Sequence, residues 1–250
     1  MRLPTAQLFQ GLTDVIFPPV CVHCRGLVEA GGQPGGHAFR HLCVRCAAQL
    51  EFVRPPHCTT CGHPFYGVVE GERICPHCAG LEPEFHEGRT AVLFKGPARS
   101  LVIELKYHRG LHVLADMEEI FRRAPHVLEE VRGAVLVPVP LHSRKARERG
   151  YNQALLLAEV LARAAGGGAC VKPLLRRMLD TETQTTLDRR TRMANLKNAF
   201  ALAPGPALNP AHHFILVDDV FTTGSTLNSC AHALRRAGGL NVDVVTFGHG

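Results

Sequence analysis

The chain of 250 residues has no tryptophan and three tyrosines, and aromatic residues make up 6% of it. That scarcity weighs against a stacking platform for nucleic-acid bases. No stretch reaches the roughly 20 apolar residues of a membrane span. The amino-terminal run MRLPTAQLFQGLTDVIFPPV is broken by Gln, Thr and Asp, unlike a signal peptide, so a cytoplasmic location is expected. No Gly-Lys-Ser/Thr phosphate loop and no Gly-x-Gly-x-x-Gly dinucleotide signature occurs. Charge of one sign is only mildly in excess. The net charge of +6 and pI near 8.9 permit anionic partners such as phosphates or nucleic acid without selecting one. An apolar content of 46% is ample for an ordinary core.

Cysteine, by contrast, is abundant. Eight of the ten cysteines form four Cys-x-x-Cys pairs: Cys21/Cys24, Cys43/Cys46, Cys58/Cys61 and Cys75/Cys78. In a cytoplasmic chain such pairs are metal ligands more readily than disulfides. Each pair sets two thiolates on one tight turn, and two turns close a tetrahedron around Zn²⁺. Gaps of 18 and 13 residues within successive couples fit ribbon-type sites. Sequential pairing, Cys21/24/43/46 and Cys58/61/75/78, is the most economical arrangement; an interleaved cross-brace has compatible spacing. Both ions would be fully ligated by protein, which makes the sites structural and a source of folding free energy. His23, His37, His41, His57, His63 and His77 are expected as solvated loop residues, and Cys170 and Cys230 as small buried residues.

Composition changes near residue 85, where Cys, His, Gly and Pro give way to periodic helices and strands. Residues 1–85 therefore form an expected zinc-ribbon domain and 86–250 an α/β domain. In the latter, TAVLFK, AVLVPVP, FILV and VDVVTF read as strands. PARSLVIELKYH, HVLADMEEIFRRA, YNQALLLAEVLARAA and TLNSCAHALRRAG read as helices. The polar segment RRMLDTETQTTLDRRTRMANLKN is expected to be part loop and part helix. Apolar strands alternating with helices predict a parallel sheet covered on both faces.

The segment FILVDDVFTTGST, residues 214–226, carries the densest chemistry. A strand buried on both faces would deliver Asp218 and Asp219 to its carboxyl end, where open α/β sheets bind ligands. Backbone N–H groups and hydroxyls of TTGST, turning into a helix near Thr226, would form an anion site, and Gly224 would allow positive φ or close approach. Carboxylates beside a phosphate cradle repel the phosphate unless they bind something else, and ribose hydroxyls or Mg²⁺ are natural candidates. The run thus points to a sugar phosphate. The alternative is a plain cap and turn, with Asp218 as the capping residue.

ILVDDVFTTGST resembles the 5-phosphoribosyl-1-pyrophosphate (PRPP) signature of type I phosphoribosyltransferases. The paired cysteines, ELKYHRG (104–110), VPVPLHSRKARERGYNQA (137–154) and TQTTLDRRTRMANLKNAF (183–200) sharpen the resemblance to the ComF family of competence-associated proteins. It implies a type I phosphoribosyltransferase fold with an amino-terminal double zinc ribbon. It implies that Asp218 and Asp219 hold the ribose, directly or through Mg²⁺, and that Thr222, Thr223, Gly224, Ser225 and Thr226 cradle the 5′-phosphate. The turn after VPVP would be the pyrophosphate loop, with Arg144, Arg147 or Arg149 beside it, Arg149 being the catalytic candidate. Thr183 to Asn195 would be a loop closing over the centre, with Gln184, Arg189, Arg190 and Asn195 as its polar residues. Lys106 stands evenly between an active-site cation and a surface residue. The implied function is Mg²⁺-dependent phosphoribosyl transfer from PRPP, linked to DNA uptake. The alternatives are a non-catalytic competence factor that engages single-stranded DNA or uptake proteins through ribbons and basic loops, with a regulatory or vestigial PRPP site, and a PRPP sensor.

Overall fold

In the computed structural model the described residues are 18–28, 38–67, 74–78, 80–178, 199–205 and 207–250. Seven strands are present among them: β1 (Gly88–Leu93), β2 (Val135–Pro138), β3 (Cys170–Val171), β4 (Leu175–Arg177), β5 (Phe200–Leu202), β6 (His213–Phe221) and β7 (Asn241–His249). Strands β1, β7, β6, β2 and β3 form one parallel sheet in that order. β4 and β5 pair antiparallel as a separate two-stranded ladder.

The helices obey the apolar spacing of their sequences. In α1 (Gly96–Tyr107) the residues Ala98, Leu101, Val102 and Leu105 fall on one buried stripe, and Pro97 opens the first turn. Two further helices follow, α2 (Leu114–Arg122) and α3 (Pro125–Glu130). Next come α4 (Ser143–Arg149) and α5 (Gln153–Ala164), the latter capped by Asn152, whose side chain accepts from the Ala154 N–H at 3.1 Å. α6 (Ser225–Arg236) buries Leu227, Cys230, Ala231 and Leu234.

The sheet is covered on both faces, as the strand composition predicts. Ile215, Val217, Val245 and Phe247 join Leu101, Leu105, Phe121 and Leu157 in one buried cluster. Phe214, Leu216, Val242 and Val244 join Leu227, Leu234, Phe200 and Leu175 in the other. Each such side chain contributes about 1.5–3 kcal/mol on burial. The cysteine-rich segment is packed into the same two clusters: Cys21, Val22, Phe39 and Leu42 on the first face, Cys58, Cys61, Cys75, Cys78 and Phe85 on the second.

Three local expectations differ from the fold. β6 runs on to Phe221, because the β7 ladder continues past the aspartates through Val220↔Gly248 and Phe221↔His249. Leu175–Arg177, which overlaps the first two residues of the segment expected to be part loop and part helix, is a strand paired with Phe200–Leu202; three residues are too few for a periodic signal. Cys170 is exposed on the edge strand β3, while Cys230 is fully buried as expected.

Candidate phosphate site and zinc centres

Alternation along β6 decides which way the two aspartates point. Phe214 and Leu216 face one layer, Ile215 and Val217 the other, so the adjacent Asp218 and Asp219 point to opposite faces of the sheet. Asp219 is 4% exposed, and its Oδ1 lies 2.7 Å from Lys106 Nζ on the last turn of α1. Its Oδ2 is buried and accepts no hydrogen bond. Asp218 Oδ1 accepts from the Asp219 N–H at 2.8 Å. Desolvation, reinforced by the Asp219 carboxylate, pushes Asp218 up to about 8, against the lowering influence of that N–H and of Lys106.

Beyond the strand the chain turns through Thr222 and Thr223 to Gly224, which holds φ +70° at the N-cap of α6. Any Cβ there would stand 2.6 Å from Phe221 Cζ, so glycine is required on both counts. Thr223 Oγ1 and Ser225 Oγ are 3.0 Å apart, and the first N–H groups of a 12-residue helix face the same space. Lys106, Asp218, Asp219, Val220, Thr222–Thr226 and Leu227 line a cleft of about 200 Å³. The structure therefore gathers Asp218, Asp219, Thr222, Thr223, Gly224, Ser225 and Thr226 in one place and adds Lys106. The capping alternative fails for Asp218: Gly224 is the N-cap of α6, and Asp218 Oδ1 accepts from the Asp219 N–H within the strand.

A second cleft of about 280 Å³ shares Lys106 with the first and is lined by Tyr107, Arg109, Lys145, Glu148 and Arg149. Arg149 stacks over the Tyr107 ring at 5.7 Å and bonds Gln153. Arg109, at φ +53°, donates to the Glu148 carbonyl oxygen at 3.2 Å. The basic segment after VPVP is helical, because His142 caps its start and Gly150, in the left-handed region, closes its end. Arg149 reaches the cleft. Arg144 and Arg147 lie on the exposed face of α4, with Arg144 paired to Glu148 at 2.9 Å. Gln184, Arg189, Arg190 and Asn195 fall outside the described residues, as does His37. Tyr107, Arg109 and Lys145 were not singled out in the sequence; ELKYHRG carried the signal for the first two.

The cysteine pairs resolve into the sequential arrangement, Cys21/24/43/46 and Cys58/61/75/78, with all sulfurs of a set within 4.8 Å of one another. Cys24 and Cys43 sulfurs are 3.7 Å apart, those of Cys61 and Cys75 3.5 Å. Tetrahedral Zn²⁺ with bonds of about 2.3 Å needs sulfurs about 3.8 Å apart, so both cages fit zinc. Hydrogen bonds from Cys61 and Cys78 pull the Cys58 thiol down, while those with Cys58 and Cys78 drive Cys61 up. Four thiols in one cage compete for negative charge, and a divalent cation removes the competition.

Near the second cage His77 is exposed, as expected, His63 is half-buried, and a third histidine lies deep. His249, 2% exposed at the end of β7, places Nε2 3.2 Å from Cys61 Sγ, with the His63 and His77 rings 4.9 and 5.7 Å away. Burial, with His63 and His77 alongside, lowers its pKa to about 4.

Residues 12–79 match the model of the double zinc ribbon domain. Competence protein F of Haemophilus influenzae is 30% identical over 222 residues, 87% of this chain and 91% of that protein. The chain belongs to the ComF family. DNA utilization protein YhgH of Salmonella typhimurium is 33% identical over 91% of this chain and 95% of that one. Competence protein ComFC of Bacillus subtilis is 25% identical over 79% of each. Among solved structures, a hypoxanthine phosphoribosyltransferase from Staphylococcus aureus overlaps 53% of this chain and 62% of its own, at 12% identity and a TM-score of 0.35, too loosely to bear on the site. No helix among the described residues is long and apolar enough to cross a membrane.

Proposed function

We propose that this ComF-family chain binds PRPP with Mg²⁺ at the carboxyl edge of β6 and transfers its phosphoribosyl group to an acceptor, in a role tied to DNA uptake. One observation carries the proposal: Asp219 Oδ2 is buried without a partner in a cleft rimmed by the amino terminus of α6. A buried carboxylate oxygen left unpaired costs free energy until a ligand supplies a donor or cation. Ribose hydroxyls and Mg²⁺ supply it, and Thr222–Thr226 hold the 5′-phosphate by N–H and O–H groups. Residues 1–85 are assigned to the double ribbon and 86–250 to the phosphoribosyltransferase-like part.

Displacing pyrophosphate at C1 develops positive charge on the sugar and negative charge on the leaving group. Asp218 and Asp219 stand on the sugar side of this division. Lys106 and Arg149, which border the adjoining basic cleft, stand on the leaving-group side. Mg²⁺, when bound, would neutralise pyrophosphate oxygens. Gln184, Arg189, Arg190 and Asn195 are assigned to the closing loop. Pyrophosphate release from PRPP and Mg²⁺ tests the proposal. The purified chain should release it in the presence of an acceptor, and the Asp218→Asn/Asp219→Asn variant should not. Undiminished release by the double variant would remove the site from the reaction.

A second reading, a non-catalytic factor that engages single-stranded DNA, is favoured by the basic cleft beside Tyr107, which is 70% exposed. Under it, DNA affinity should fall steeply with salt and weaken when Arg144, Arg147 and Arg149 are neutralised.

A further inference from the structure

The second ribbon and the phosphate loop meet through an unbroken series of packed groups. His249 bridges them: Nε2 faces Cys61 Sγ at 3.2 Å, and its ring stacks on Phe221 with centroids 5.5 Å apart and planes inclined by 12°. Phe221, 1% exposed, closes on Gly224, where Cζ would stand 2.6 Å from a Cβ. Leu81, three residues beyond Cys78, reaches the same point, its Cδ2 3.2 Å from that Cβ position. Its N–H donates to the Cys78 carbonyl oxygen at 3.0 Å. The strand of chain leaving the ribbon is then tied to α6 itself. Asn228 accepts from the Glu84 N–H at 2.6 Å and donates to the Glu82 carbonyl oxygen at 3.0 Å. Arg235 donates to the Glu84 carbonyl oxygen at 3.2 Å.

The first ribbon touches other elements. His23 bonds Ser100 on α1 at 2.9 Å, and the N–H groups of Arg40 and His41 donate to Asp116 on α2 at 2.8 Å. The two ribbons are therefore unequal with respect to the site.

We propose that the second ribbon is a positioning element of the phosphate loop: its metal, held by Cys58, Cys61, Cys75 and Cys78, fixes Thr222–Thr226 through His249 and Phe221, with Leu81 as a second strut. His249 donates Nε2–H to the metal-bound Cys61 sulfur, the kind of outer contact that orients a ligand, and presents its ring to Phe221. The first ribbon's bonds to Ser100 and Asp116 end on α1 and α2 instead. The functional consequence, control of PRPP affinity, rests on the function proposed above; the mechanical coupling does not.

Amide hydrogen exchange on the full, zinc-loaded chain tests the coupling without any ligand. In His249→Ala the amides of residues 221–227 should exchange about tenfold faster or more, as a locally opened unit does, with α5 unchanged. His23→Ala should leave them alone. His249→Phe keeps the ring but loses the donor, so the loop should stay protected while zinc affinity at the second site falls about 10- to 100-fold. If His249→Ala fails to fold, Leu81→Ala should give the same local opening. Unchanged loop exchange in the variant that folds overturns the proposal, as does acceleration shared equally with α5 and the first ribbon. Isothermal titration of the wild type with PRPP and Mg²⁺ separates the two ideas. A loop that responds in a chain that binds no PRPP leaves the coupling standing and removes the PRPP assignment.

Discussion

Lys106 Nζ and Asp219 Oδ1 are 2.7 Å apart, joining the last turn of α1 to strand β6 just before the Thr222–Thr226 loop. The pair is 22% and 6% exposed in its side chains, so it is anchored yet open to a ligand. Replacing Lys106 by Met leaves a buried carboxylate without its cation and should cost on the order of 1–3 kcal/mol of stability. The loss should be largely recovered in Lys106→Met/Asp219→Asn, which thermal unfolding of the four-member cycle would measure.

The raised Asp218 pKa, about 8, should make binding of PRPP with Mg²⁺ pH-dependent. Below that value the carboxyl is mostly protonated and must release its proton to accept Mg²⁺ or to receive two ribose donors as a carboxylate. Affinity for PRPP with Mg²⁺ should therefore tighten as pH rises from 7 to 9. Asp218→Asn, which has no proton to lose, should flatten that dependence; an equally steep profile in the variant would contradict the assignment.

Gly224 combines φ +70° with a Cβ position 2.6 Å from Phe221. Gly224→Ala should destabilise the chain by about 1–3 kcal/mol through backbone strain and ring displacement. It should also weaken phosphate binding, since the turn that aims the N–H groups cannot close. Inorganic phosphate titrated by calorimetry, alongside the unfolding midpoint, would report both effects.

At the opposite end of the sheet His213 Nε2 lies 2.6 Å from Asp243 Oδ2. The hydrogen bond to Asp243 raises the His213 pKa against desolvation. Asp243 is lowered despite its burial by its bonds to His213 and the Glu87 N–H. A raised histidine contributes stability that is fully present below its unfolded value of about 6.5 and is lost as pH climbs through the folded value; the lowered aspartate loses its share only in acid. The stability gap between wild type and His213→Gln should accordingly be wider at pH 6 than at pH 9, as chemical denaturation at the two values would record.

Much of this was legible in the chain itself. Four Cys-x-x-Cys pairs specify their chemistry by spacing alone, and FILVDDVFTTGST states strand, acid and loop in order. What spacing could not decide was pairing, and the packed structure resolved it into two sequential cages. The opposite facing of Asp218 and Asp219 follows from strand alternation, once β6 is known to run through both residues to Phe221. Lys106 stayed undecided because a lysine near a helix end reads alike whether it meets solvent or a carboxylate on a distant strand. His249 gave no local signal at all: its partners Cys61 and Phe221 lie 188 and 28 positions away. The helical α4 was masked by its charge, four Arg and Lys residues in seven, which resembles a solvated loop until its two caps are seen.

The central claim is that the carboxyl edge of β6 is built for PRPP. Isothermal titration of the zinc-loaded chain with PRPP, with and without Mg²⁺, tests it most directly. Binding should be saturable and one-to-one, strengthen with Mg²⁺, and disappear in Asp218→Asn/Asp219→Asn while the variant still unfolds cooperatively with two zinc ions per chain. Absence of binding in the wild type, or equal binding in the double variant, would contradict it.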